Sequence, residues 1–207
     1  MKKITIFFTV LLYSLTGALY AQNDAVLKSL YQKMSASAVS MDYSYVLKSS
    51  GFKTVGNGTV TVQDSAYVMN GNGLQICCDG KTVWTVDQDG KEVLIESPAE
   101  GAQSYMDNPA LLFVNLSDTF TVDGVKADGS INTYVLSPKV SCGIKTATLS
   151  INASGEPVIT SAVFALADGS GLDIKIKSMT FSDKKPLTSF CFDVSVLDSS
   201  WLITDIR

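Results

Sequence analysis

The chain has 207 residues, 46% of them hydrophobic and 17% charged, with no histidine and a formal net charge of −4. That length favours one domain. An acidic chain without a basic run is a poor nucleic-acid binder with little attraction to anionic lipid heads, and the missing histidine excludes the usual general base and the Ser-His-Asp and Cys-His arrangements.

Met1-Lys2-Lys3 followed by Ile4 to Leu15 reads as a basic n-region and an apolar h-region, with Ala18-Leu19-Tyr20-Ala21 as a cleavage site. Residues 1–21 are therefore expected to be a signal peptide and residues 22–207 a single mature domain. The apolar run is short for a bilayer span. Gln22, not Cys, follows the cleavage site, so a soluble, unacylated mature protein is expected. Loss of Lys2 and Lys3 leaves 14 basic against 20 acidic side chains, a net charge of −6. Cys77, Cys78, Cys142 and Cys191 all lie in the mature part. An exported protein can oxidise them in three full pairings, or they can stay reduced as small buried hydrophobes. Neighbouring strand positions point Cys77 and Cys78 to opposite faces. Without histidine, and without a two-residue gap between those cysteines, zinc is not expected. No other cofactor is expected.

Residues 24–39 carry Leu27, Leu30, Tyr31, Met34 and Ala38 at helical spacing, with Asn23 or Asp24 able to cap. From Tyr43 onward short strand-like runs recur every 8 to 12 residues, Phe52 to Val55 and Gly58 to Gln63 as separate strands among them, with Gly, Asn and Asp between, which signals an all-β barrel or sandwich. Asp79-Gly80 is a tight turn, Thr82 to Val86 a strand, Asp87-Gln88-Asp89-Gly90 a second turn and Lys91 to Glu96 the return strand. Trp84 and Val86 share one face of this hairpin, as do Val93 and Ile95 on the return. Ser97 to Ser117 breaks the rhythm. Asn108 caps and Pro109 fits the first helical position, so Ala110 to Leu116 can form about two turns. Leu111, Leu112, Phe113 and Leu116 make that helix almost wholly apolar, so it must be covered or cover something. Strands resume at Thr119 and run to Thr188–Val196, with Leu172, Ile174 and Ile176, then Phe190, Phe192 and Val194, alternating with polar residues. About ten or eleven strands are predicted, with one wet and one oily face, as an antiparallel curved sheet requires.

Two fragments mimic ligand loops. Gly80-Lys81-Thr82 lacks the upstream Gly and following helix of a phosphate loop, and Asp87 to Gly90 lacks the later ligands and closing Glu of a calcium loop. Both read as hairpin turns. A curved sheet that does not close can hold a small ligand, and burying acyl chains is favourable by about 0.8 kcal/mol per methylene.

The words Asp79-Gly80-Lys81-Thr82-Val83-Trp84, then Lys91 to Ser97, Asn108-Pro109-Ala110-Leu111-Leu112, Tyr134 to Lys139, Phe190 to Asp193 and the terminal Ile203 to Arg207 resemble, in order, blocks of the LolA family of periplasmic lipoprotein carriers. The resemblance implies an incomplete, unclosed antiparallel β-barrel with a lid of short α-helices, and a periplasmic carrier in a Gram-negative bacterium. It would shield lipoprotein acyl chains on the way from an inner-membrane release complex to an outer-membrane acceptor, acting as a monomer rather than as an enzyme. Val60, Val62, Tyr67, Trp84, Val86, Val93, Ile95, Phe190 and Phe192 are the expected cavity, with Leu27, Leu30, Leu111, Leu112, Phe113 and Leu116 as lid. For each, plain core packing is the alternative. One departure stands out. The family's Arg-Pro before the Asp-Gly-Lys strand is absent from Val62-Gln63-Asp64-Ser65-Ala66-Tyr67, so no gating Arg is transferred. Another lipid or glycolipid as cargo, or a periplasmic sensor or regulatory module on the same scaffold, are the alternative functions.

Overall fold

The computed structural model describes residues 25–98 and 119–207. A helix, α1, covers residues 25–36. Twelve strands follow: β1 (Ala38–Ser49), β2 (Phe52–Gln63), β3 (Ala66–Gly71), β4 (Leu74–Cys78), β5 (Val83–Asp87), β6 (Glu92–Glu96), β7 (Phe120–Asp128), β8 (Ile131–Pro138), β9 (Ile144–Asn152), β10 (Val158–Leu166), β11 (Gly171–Ser182) and β12 (Leu202–Asp205). They form one sheet in the order β12-β6-β5-β4-β3-β2-β1-β11-β10-β9-β8-β7. Every pairing is antiparallel except β12 beside β6, which is parallel. A twisted sheet this wide curls, and its edges β12 and β7 do not meet. The architecture is the expected mainly β, unclosed barrel, with α1 on its apolar side.

Turn chemistry sets the register. The β3–β4 connection is Asn72-Gly73, both at positive φ (54° and 81°), the two-residue loop that matches the twist of a hairpin. β2 runs unbroken through Gly56 and Gly58 because the rings of Tyr45 and Tyr43 occupy the space above them. A Cβ on Gly58 would stand 2.5 Å from the Asn70 carbonyl oxygen and 2.8 Å from the Tyr43 hydroxyl.

The alternation of each strand separates an inner face from an outer one. Val39 pairs with Val62, Val62 with Tyr67, Tyr67 with Cys78 and Cys78 with Val83. On the other wing Ile174 pairs with Ala162, Ala162 with Leu149 and Leu149 with Tyr134. These side chains join α1's Leu27, Leu30 and Met34 in one continuous core. Leu30 is completely buried, and each such aliphatic side chain contributes about 1.5–3 kcal/mol by leaving water.

Three expectations are corrected. The helix stops at 36, and Ala38 and Val39 belong to β1; both are apolar and buried, so they satisfy a helical and a strand pattern alike. Phe52 to Val55 and Gly58 to Gln63 are one strand. Thr188–Val196 is not a strand but two 3-10 turns, Leu187–Phe190 and Val194–Val196. The predicted helix at 108–116, with Leu111, Leu112, Phe113 and Leu116, lies outside the described residues.

Candidate functional site

The inner face is the larger apolar surface. Val60, Val62 and Tyr67 lie on it, and Leu27 and Leu30 of α1 pack into the same cluster. Around this buried centre runs a half-buried apolar fringe that includes Tyr43, Tyr45, Met69, Ile76, Leu172 and Met179. Register places Met69 beside Ile76, Tyr43 beside Ile176 and Tyr45 beside Ile174. Its polar groups include phenols. Burial, and then the neighbouring Tyr134, push the Tyr31 hydroxyl well above its usual range; burial, and then Tyr45, raise the Tyr43 hydroxyl. Of the two lysines on α1, Lys28 and Lys33, the second lies at the rim, where it pairs with Glu156 at 2.8 Å and lies 5.6 Å from the Phe181 ring centroid. A phenol-dotted apolar face of this kind suits hydrocarbon. Among the described residues no three His, Cys, Asp or Glu side chains converge on a metal position.

The other expected cavity residues sit elsewhere. Trp84, Val86, Val93 and Ile95 do come together, since Val86 pairs with Val93 and Trp84 with Ile95. Their row, however, runs Thr61–Val68–Cys77–Trp84–Ile95, out of phase with Val62, Tyr67 and Cys78 by one residue, so they point to the outer face. A second, separate cluster forms there, in which Phe192, Val194, Leu197 and Trp201 cover Trp84, Val86, Val93 and Ile95. Phe190 is buried in the first 3-10 turn beside β3. A single cavity therefore cannot be lined by all nine residues.

The segment from Asp183 to Arg207 acts as a strap over β3–β6. Lys184 reaches Asp64 at 2.7 Å. The Gln63 side-chain amide donates to the Lys185 carbonyl at 3.0 Å and accepts from its N–H at 2.7 Å. The Cys191 thiol donates to Asp79 Oδ2 at 3.8 Å. After Trp201 the chain pairs as β12, and Arg207 donates to Thr82 Oγ1 at 3.3 Å. Asp79 is partly buried, which raises its pKa, but the N–H groups of Lys81 and Thr82 and the Cys191 thiol together outweigh this and hold the carboxyl below its usual value. The sequence carried a signal for the strap. In Asp193-Val194-Ser195 and Asp198-Ser199-Ser200 each Asp accepts from the backbone N–H two residues on, a local turn that competes with strand pairing. The position where the resemblance lacks an Arg is the β2–β3 turn, where Gln63 is engaged by the strap.

The family described as outer membrane lipoprotein carrier protein LolA matches residues 68–195, more than half of the chain. No curated protein matches the sequence. Among solved structures, a LolA superfamily protein from Nitrosomonas europaea is 11% identical, with 82% of this chain and 97% of that one covered at a TM-score of 0.47. A DUF1329 family protein from Desulfovibrio piger is 10% identical, covering 86% and 98% at 0.49. Lipoprotein LppX from Mycobacterium tuberculosis is 11% identical, covering 79% and 98% at 0.36. With that family match on this unclosed barrel, the chain belongs to the LolA family of outer membrane lipoprotein carrier proteins.

Proposed function

We propose that this protein is a periplasmic carrier that shields the acyl chains of lipoproteins against its inner face, exported by a leader at residues 1–21 and working as one domain over 22–207. The observation that carries the reading is the continuity of that face: one apolar surface runs from β5 to β7 with α1 across it, and half-buried side chains ring its buried centre. Acyl chains need area rather than directional polar contacts, so such a surface can hold cargo without recognising the attached protein. Val60, Val62 and Tyr67 would touch cargo, with Leu27 and Leu30 as the helical cover. Trp84, Val86, Val93, Ile95 and Phe192 would instead brace the sheet from behind. Hand-over partners would be an inner-membrane release complex and an outer-membrane acceptor.

The test is transfer. Membranes carrying labelled lipoprotein and the release machinery are incubated with the purified protein, and soluble lipoprotein is measured with and without it, followed by mass spectrometry of lipid extracted from the carrier. Released lipoprotein and bound acyl chains support the reading. Bound lipid of another class, with no lipoprotein released, would make it a carrier of other cargo. Neither lipid nor release would leave a sensor or regulatory module.

A further inference from the structure

Cys77 lies on the outer face of β4, in the row between Val68 and Trp84, and is only 3% exposed. What covers it is the strap. The first 3-10 turn lies beside β3, the next residue is Cys191, and Phe192 after it packs into the cluster on Trp84's side. The chain thus passes from the β3 side to the β5 side across β4, near the end of that strand where Cys77 and Cys78 lead into Asp79. Cys191 is fixed there by its bond to Asp79, two residues from Cys77. Cys78 points the other way, its sulfur accepting from the Gly80 N–H at 3.3 Å in the inner cluster, and Cys142 is buried in that same inner cluster. All four stand as thiols in this structure, Cys191 exposed and the rest buried.

We propose that Cys77 and Cys191 are a disulfide pair that locks the strap onto the outer face of β4. The exposed Cys191 thiolate attacks a disulfide donor, such as oxidised glutathione or a protein disulfide, forming a mixed disulfide and releasing one donor thiol. The Cys77 thiolate then attacks the Cys191 sulfur, forming the internal bond and releasing the second donor thiol. Two thiols of this chain are oxidised, one donor disulfide is reduced to two thiols, and the two protons leave with them. Burial, then Cys191 and then Cys78 push the Cys77 thiol up to about 11, and burial and then the Asp79 carboxylate raise the Cys191 thiol, so both steps are slow at neutral pH and quicken in alkali. The closed loop spans β4 to the strap, so the bond restricts the unfolded chain strongly.

The full-length mature chain is incubated with oxidised glutathione at pH 7 and pH 9, alkylated, digested without reductant and mapped by mass spectrometry, with melting measured on the same samples. The expected result is a Cys77–Cys191 linked peptide, formed faster at pH 9, and a melting temperature higher by roughly 5–10 °C that dithiothreitol reverses. Cys191→Ser, at an exposed position, folds and shows no such rise; Cys77→Ala leaves Cys191 as a glutathione adduct. A Cys78–Cys191 link, a lasting glutathione adduct on Cys191 in the wild type, or a Cys77–Cys191 bond that leaves melting unchanged would overturn the proposal.

Discussion

Glycine and aspartate positions decide local geometry in this chain. Gly58 tolerates its crowded place only because it has no Cβ, and the nearest atom to an added one is backbone, which cannot swing aside. Gly58→Ala is expected to cost about 1–3 kcal/mol by overpacking, whereas Gly124→Ala, with nothing within 4 Å of the new carbon, is expected to be near neutral; chemical denaturation of the two variants checks the pair. Asp79 has a folded pKa below its ordinary 3.8. Its stabilising effect is therefore present above about pH 4 and is lost as pH falls through the lowered value. The melting-temperature gap between wild type and Asp79→Ala should be open at pH 6 and narrow towards pH 3; a gap independent of pH would contradict the assignment. At this scale the sequence was most legible in its turns. Asp79-Gly80 announced a hairpin start correctly, while the Asp-x-Ser turns at 193 and 198 were outweighed by the alternation of Phe190, Phe192 and Val194, a period-2 pattern that successive 3-10 turns can imitate.

Among the elements, α1 and the strap cover opposite faces of the same sheet, and the two can be told apart spectroscopically. Both tryptophans of the chain, Trp84 and Trp201, sit in the strap cluster. Leu30→Ala removes a completely buried side chain from the α1 side and is expected to cost about 2–5 kcal/mol, with tryptophan emission of the folded protein unchanged. Phe192→Ala thins the cover over Trp84 and is expected to red-shift that emission with a smaller loss of stability. Paired fluorescence and denaturation curves read both. The hairpin from Thr82 to Glu96 shows why its pairing was readable and its orientation was not. Alternation groups Trp84, Val86, Val93 and Ile95 on one face, but period 2 does not say which face looks inward. Both faces of β5–β6 meet apolar neighbours, so the polar-out signal that usually decides is missing there.

For the whole molecule, the unclosed sheet with one apolar face was legible from strand rhythm, from alternation and from family-like blocks in order. The division of apolar residues between the inner face under α1 and an outer face under the strap was not, because it depends on where a distant segment, residues 183–207, folds back. The direct test of acyl-chain binding on the inner face is the affinity of a fluorescent fatty-acyl probe for three variants with melting measured alongside. Met69→Glu places a charge in the half-buried inner fringe, Phe192→Glu in the strap and Val163→Glu on the exposed outer surface of β10. The expected result is at least a tenfold loss of probe affinity for Met69→Glu with the fold intact, while Phe192→Glu and Val163→Glu bind as the wild type does. Undiminished binding by folded Met69→Glu, or binding lost by folded Phe192→Glu alone, would contradict an inner-face carrier.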